Sequence, residues 1–220
     1  MDASYLDLLM AQQEDEVSEQ PAGDGQGGVW VVADVVDGEV APVTLEALGA
    51  ARSLADVLGA YVYGVLLGDG VTDLAPVLFQ AGADGVRVAD HKSLARFAVA
   101  PCVRVLADLI AAAEPEVVLM GATSQGQQLA PRLAQRSGGG LVEHVTAVSL
   151  DQSTRTVVAT FPMYGGAYYE KAACPDARPQ FFTVEPGAFP QPFLESHRQG
   201  EPEALPVEPV SYTHLTLPTN

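Results

Sequence analysis

Three short runs of unbroken apolar, largely β-branched residues constrain this chain more than any other feature. Val29-Trp30-Val31-Val32-Ala33, Tyr61-Val62-Tyr63-Gly64-Val65-Leu66-Leu67 and Val117-Val118-Leu119-Met120 show no polar alternation, so both faces of each must be covered. Such strands belong inside a parallel sheet flanked by helices. Between the runs the period changes. After a turn at Asp37-Gly38, Thr44, Leu45, Leu48, Ala51, Leu54, Ala55 and Leu58 recur at steps of three and four and end at Gly59. This predicts an amphipathic helix with Thr44 as N-cap and a glycine stop. A helix over 72–81 closed by Gly82, a strand at Val86-Arg87-Val88 and a helix over 93–113, ending before Glu114-Pro115, continue the alternation. Gly121 marks the carboxyl end of the Val117 run. Gln127–Arg136 reads as helical, and Pro131, tolerable only in a first turn, places its true start near Ala130.

Alternating strand and helix calls for right-handed crossovers. The fold class is therefore α/β, a three-layer open, mostly parallel sheet of the adenine-nucleotide-binding (Rossmann-like) type. Segments 141–150, 155–161 and 180–184, rich in Val, Thr and Phe, are expected as extra antiparallel strands at one edge.

The ends have a different composition. Residues 1–28 hold seven acidic residues and no basic one, and read as an acidic flexible leader. Its Gly23, Gly25 and Gly28 match GxGxxG, but they precede a strand where a dinucleotide site needs them to follow one. The α/β domain is placed at 29–190, a Pro/Glu-rich linker at 191–210, and 211–220 reads as translated sequencing adaptor or as the first strand of a further domain.

Twenty-eight acidic against eleven basic residues give a net charge of −17. That field repels phosphate backbones and anionic headgroups, which excludes nucleic-acid binding, and no segment reads as a signal peptide or membrane anchor. Cys102 and Cys174 form no CxxC or Cys/His cluster, so a reducing cytoplasmic setting is expected. His91, His144, His197 and His214 are spaced so that no two share a helical face, which argues against a metal site.

The segment that points to function is Gly121-Ala122-Thr123-Ser124-Gln125-Gly126, small residues at the carboxyl end of a parallel strand and just before a helix. Open α/β sheets bind ligands there. It reads either as a cradle of backbone N–H groups assisted by Thr123 and Ser124, or as a tight turn that needs small residues. Gly138-Gly139-Gly140 lacks the Lys and hydroxyl of a phosphate loop and reads as a helix C-cap. Asp34 and Asp37 read as strand-end and turn residues, and no GxSxG elbow is present. Tyr164, Tyr168 and Tyr169 around Gly165-Gly166 form either a partner-contact surface or a packed strand bend.

Taken in order, Val31-Val32-Ala33-Asp34 with Asp37-Gly38, Val43 to Arg52, Gly82-Ala83-Asp84, Val117 to Thr123, Gly126, Leu129 to Ala134, Gly140-Leu141, Tyr164-Gly165-Gly166, and Arg178-Pro179-Gln180 leading to Thr183-Val184-Glu185-Pro186-Gly187 resemble the amino-terminal domain of the electron transfer flavoprotein alpha subunit. The likeness spans about residues 29–190. Gln127, Ala167 and Glu185 depart from the family, which usually has Arg, Asn and Arg there.

The resemblance implies a truncated alpha subunit without its carboxyl-terminal FAD domain. It would act as an electron-carrier scaffold and not as an enzyme. The partner would be the beta subunit, and electrons would pass from acyl-CoA-type dehydrogenases to a quinone oxidoreductase. No FAD ligand carries over to this chain, and AMP or a second FAD would sit in the beta subunit. Gly121, Ala122, Thr123, Ser124 and Gly126 would then form a degenerate nucleotide pocket or interface loop. The alternative is a free-standing adenine-nucleotide-binding module of the universal-stress type using the same loop.

Overall fold

The structure is a computed structural model describing residues 27–95 and 97–207. The leader glycines Gly23 and Gly25, His214 and the segment 211–220 lie outside the described residues.

In chain order the elements are β1 (Val29–Val32), β2 (Val35–Val36), β3 (Glu39–Val40), α1 (Pro42–Leu58), β4 (Val62–Gly68), α2 (Ala75–Gln80), β5 (Gly85–Asp90), α3 (Val99–Ala113), β6 (Val117–Gly121) and α4 (Gly126–Ser137). They continue with β7 (Gly140–Val145), β8 (Ala147–Asp151), β9 (Thr156–Met163), β10 (Tyr168–Ala173), β11 (Gln180–Val184) and β12 (Glu203–Ala204). A seven-stranded sheet runs in the order β12-β5-β4-β1-β6-β11-β7, with every pair parallel. Helices α1 and α2 cover one face and α3 and α4 the other, giving three layers.

The unbroken apolar runs are explained by this sandwich. Val29 and Val31 of β1 enter the core beneath α1, while Trp30 and Val32 enter the core beneath α3 and α4. All four are buried, and each buried side chain of this size contributes roughly 1.5–3 kcal/mol. An alternating strand would have put a polar residue into one of the two cores.

The loops follow local chemistry. Asp37 and Gly38 take positive φ (52° and 81°), closing the β2–β3 hairpin as an Asp-Gly turn does. Gly59 and Gly138 end α1 and α4 in the left-handed conformation.

Four expectations need correction. Helix α1 starts at Pro42, with Ala41 as its cap, so Thr44 lies inside the first turn and its hydroxyl is used elsewhere. The helix expected over 93–113 is split: a 3₁₀ turn spans Lys92–Leu94 and α3 begins at Val99, because Pro101 is accommodated only in a first turn. Helix α4 runs from Gly126 through Pro131; the bond lost is the one to Gln127, whose exposed position lets water replace it. Finally, residues 141–145 of the segment 141–150 belong to β7, which is parallel, and segment 180–184 is not an antiparallel edge strand. As β11 it lies between β6 and β7 and is parallel to both, fully buried, since the sheet needs an apolar interior strand and Phe181 and Phe182 supply one side chain to each core. The antiparallel strands at the edge are β8–β10, a separate sheet joined to the β7 end by the Thr146 N–H donating to the Thr160 carbonyl at 2.8 Å.

Residues 190–207 run back across the domain. Arg198 pairs with Asp84 at 2.9 Å, and Arg87 with Glu203 at 3.0 Å. The Leu205 N–H donates to the Val88 carbonyl at 2.8 Å, and β12 caps β5. Among the described residues no helix is long and apolar enough to cross a membrane.

Candidate functional site

The chain leaves β1 toward β4 and β5, then returns through α3 to β6 on the other side of β1. The carboxyl ends of β1 and β6 therefore form the switch point where crossovers diverge and open α/β sheets bind ligands. Asp34 follows β1, and Gly121–Gly126 follows β6.

These two segments meet. Asp34 is 4% exposed, and the Thr123 hydroxyl donates to its Oδ2 at 2.9 Å. The Thr44 hydroxyl, freed from capping α1, accepts from the Asp34 N–H at 2.9 Å and ties the end of β1 to the helix. Burial pushes the Asp34 carboxyl above the usual carboxylate range, outweighing the Thr123 hydrogen bond, which pulls the other way.

Gly121 is required by proximity, since a Cβ there would lie 2.7 Å from Asp34 Oδ2 and 2.7 Å from Val43 Cγ1. A Cβ on Gly126 would collide with the Gly121 carbonyl, so the turn into α4 needs both glycines. Three N–H donors at this turn are used within the fold. The Ala122 N–H donates to the Val184 carbonyl at 2.7 Å, Gly126 N–H to the Thr123 hydroxyl at 3.2 Å, and Gln127 N–H to the Thr123 carbonyl at 2.9 Å. Ser124 is exposed at the tip.

The buried Asp34 carboxyl lies against this loop, so a phosphate seated there would meet an acidic group. Sequence reasoning placed the loop at the switch point but treated Asp34 as a strand-end residue; the pairing of Asp34 with Thr123 spans 89 positions and has no local signal.

The other motifs lie apart. Gly138 caps α4, while Gly140 opens β7 against Cys174. His91 Nδ1 is 2.7 Å from the Ser93 hydroxyl, and His144 Nδ1 is 2.6 Å from Glu185 Oε2. Among the described residues no group of three or more His, Cys, Asp or Glu is placed to hold a metal ion. Cys102 is buried in α3, where desolvation pushes its thiol up and leaves it a poor nucleophile.

Residues 29–210 match the electron transfer flavoprotein domain. The chain belongs to the electron transfer flavoprotein family. It is 40% identical over 162 residues to the electron transfer flavoprotein subunit alpha of Clostridium acetobutylicum, covering 74% of this chain and 48% of that protein. It is 36% identical over 181 residues to a subunit of the lactate dehydrogenase (NAD(+),ferredoxin) of Acetobacterium woodii, covering 82% and 43%. A third relative is the acryloyl-CoA reductase electron transfer subunit beta of Anaerotignum propionicum, 33% identical over 181 residues, covering 72% and 49%. The chain thus spans about half the length of the curated electron transfer flavoprotein relatives it matches.

Proposed function

We propose that residues 29–190 form the base domain of an electron transfer flavoprotein alpha subunit, and that this chain works as a scaffold without bond chemistry of its own. The observation that carries this reading is the closed switch point. There Thr123 bonds the buried Asp34 carboxyl, and the Ala122 and Gly126 N–H groups are taken up by Val184 and Thr123. A domain of this shape without an open site contributes by holding other parts in place.

On this reading the base, with 190–207 folded back over it and β12 at the edge of its sheet, docks a beta subunit, and the flavin is held outside this α/β domain. FAD supplies the redox chemistry there, and AMP or a second FAD belongs to the beta subunit. Electrons pass from dehydrogenases of the acyl-CoA type to a quinone oxidoreductase. The name of one relative, a lactate dehydrogenase (NAD(+),ferredoxin) subunit, supports a dehydrogenase-linked role, and that of another, an acryloyl-CoA reductase electron transfer subunit, supports electron transfer with an acyl-CoA-linked enzyme. Gly121–Gly126 serves as an interface or packing loop.

The test is co-expression with a cognate beta subunit, followed by light scattering on the size-exclusion peak and calorimetric titration of the chain with AMP and ATP. A one-to-one complex and no nucleotide heat are expected. A monomeric chain that leaves the beta subunit behind, or one that binds adenine nucleotide alone, would overturn the reading, the second in favour of the universal-stress type.

A further inference from the structure

The chain enters the sheet beside a cavity at the amino-terminal ends of the strands, the edge opposite the switch point. The Gly27 N–H donates to the Ala113 carbonyl at 2.6 Å, and the Gly28 carbonyl accepts from the Glu116 N–H at 2.9 Å, so residues 113–116 flank the entry to β1. Glu114, Pro115 and Glu116 of that segment also line the cavity, whose volume is about 900 Å³. Ile110 and Ala111 at the end of α3 give it an apolar wall.

The rest of the lining is basic. Arg136 from the last turn of α4, Arg155 from the turn between β8 and β9, and Arg178 from the loop before β11 converge on the cavity, three of the eleven basic residues in the chain. Arg155 is neutralised by Glu116, its Nη2 and Nε lying 2.7 and 3.3 Å from the two carboxylate oxygens. Arg178 is held by carbonyls, with Nη1 donating to that of Ala177 at 2.9 Å and Nη2 to that of Arg155 at 2.9 Å. Among the described residues neither Arg136 nor Arg178 is ion-paired with a carboxylate. Two such guanidinium groups beside a third, in a chain of net charge −17, favour an acidic occupant. Asp108 and Glu114 on the α3 side leave the arginine side for its carboxylates.

An acidic segment is tethered at this place. Residues 1–26 carry seven acidic residues and no basic one. Asp24 precedes Gly27 by three residues and Glu19 by eight, spans of at most about 11 and 29 Å. Both therefore lie within reach of a cavity whose wall begins at Glu114. A short tether holds its end at an effective concentration of about a millimolar, so ion pairs that are individually weak suffice for docking. A free anion or the leader of a second copy has no such advantage.

We infer that the arginine cavity at the amino-terminal edge of the sheet is the docking site of the chain's own acidic leader, with Asp24 and Glu19 seated against Arg136 and Arg178. The site recognises an acidic peptide, and the tethered one occupies it.

The test uses the full chain. In the Arg136→Lys variant, which keeps the charge, carbodiimide coupling at low salt should join position 136 to Asp24 or Glu19 within one chain, located by mass spectrometry. Glutamyl endopeptidase gives a second readout. Cleavage after Glu19 should run at least about threefold faster in Arg136→Glu than in wild type, because proteolysis follows the population of the open form. Arg132→Glu, on the same helix but outside the cavity, should be cleaved as wild type is. In about 0.5 M NaCl the screening length falls to about 4 Å, and the difference between Arg136→Glu and wild type should close. Arg132 and Arg136 are both exposed, so these variants retain the fold. Coupling of position 136 to Asp108 or Glu114 alone, or equal cleavage of wild type and Arg136→Glu at low salt, overturns the inference. Coupling between two chains assigns the cavity to the leader of a second copy and overturns it as well. Neither readout involves a beta subunit, so these failures are distinct from failure of the heterodimer reading.

Discussion

The closed switch point predicts that Gly121→Ala is destabilising although alanine is a small residue. The new Cβ would stand 2.7 Å from Asp34 Oδ2, 2.7 Å from Val43 Cγ1 and 3.1 Å from Thr123 Cγ2, where ordinary contacts lie at 3.4–4 Å. Relief requires Asp34 to move by several tenths of an ångström, and Oδ2 is the atom that accepts the Thr123 hydroxyl at 2.9 Å. Overpacking of this kind costs about 1–3 kcal/mol, and weakening the hydrogen bond adds about 1 kcal/mol. Replacing glycine in a strand returns roughly 0.5–1 kcal/mol of backbone entropy. The net expectation is a loss of about 1–3 kcal/mol, read as a fall in the urea midpoint at pH 7 with unchanged slope. Combining the change with Asp34→Ala removes one of the two close contacts, so the double variant should be more stable than the sum of the singles by about 1 kcal/mol. A Gly121→Ala variant within about 0.5 kcal/mol of wild type, or strict additivity with Asp34→Ala, would refute the geometry on which the closed site depends.

Asp34→Asn removes the titrating group while keeping an acceptor for Thr123. Because burial raises the native carboxyl above its unfolded value, its contribution is fully present below the unfolded pKa and is lost as pH rises through the native one. The variant should therefore gain stability relative to wild type between pH 4 and pH 8 in urea titrations, and a constant or falling difference would contradict the sign. Asp84, 9% exposed at its side chain, accepts from Arg52 at 2.8 Å, Arg198 at 2.9 Å and the Val62 N–H at 2.8 Å. Asp84→Ala should cost roughly 2–4 kcal/mol in thermal unfolding and open 190–207 to protease; a loss under about 1 kcal/mol would show the cluster to be redundant. Glu203 is largely exposed where it meets Arg87, whose guanidinium lies 4.8 Å from the Trp30 ring centre and 5.0 Å from that of Tyr63. Glu203→Ala is expected to speed hydrogen exchange at the Leu205 amide while changing global stability by less than about 1 kcal/mol, and slow exchange there would mean the main-chain pairing alone holds β12.

The three-layer architecture was legible from the chain because burial on both faces forces a composition that few other folds require. Val29–Val32 cannot be one-sided, and the helices between such runs announce themselves through Leu48, Leu54 and Leu58 on one stripe. Glycines at Gly59 and Gly138 marked helix ends for the same local reason, a left-handed residue without a Cβ. Local signals failed where a choice depended on neighbours distant in sequence. Phe181 and Phe182 read as part of an antiparallel edge strand, and pairing with Val118 and Leu141 placed them in the interior instead. Pro131 looked like a helix start until its place on the solvent face made the lost hydrogen bond tolerable. The loop 121–126 was found at the right end of the right strand, yet whether it opens to a ligand depended on Asp34, which only the adjacency of β1 and β6 brings within hydrogen-bond reach of Thr123. Periodicity and turn chemistry act over a few residues and are written in the sequence; the state of a site at the junction of two strands depends on which strands lie side by side, and that is a property of the folded sheet.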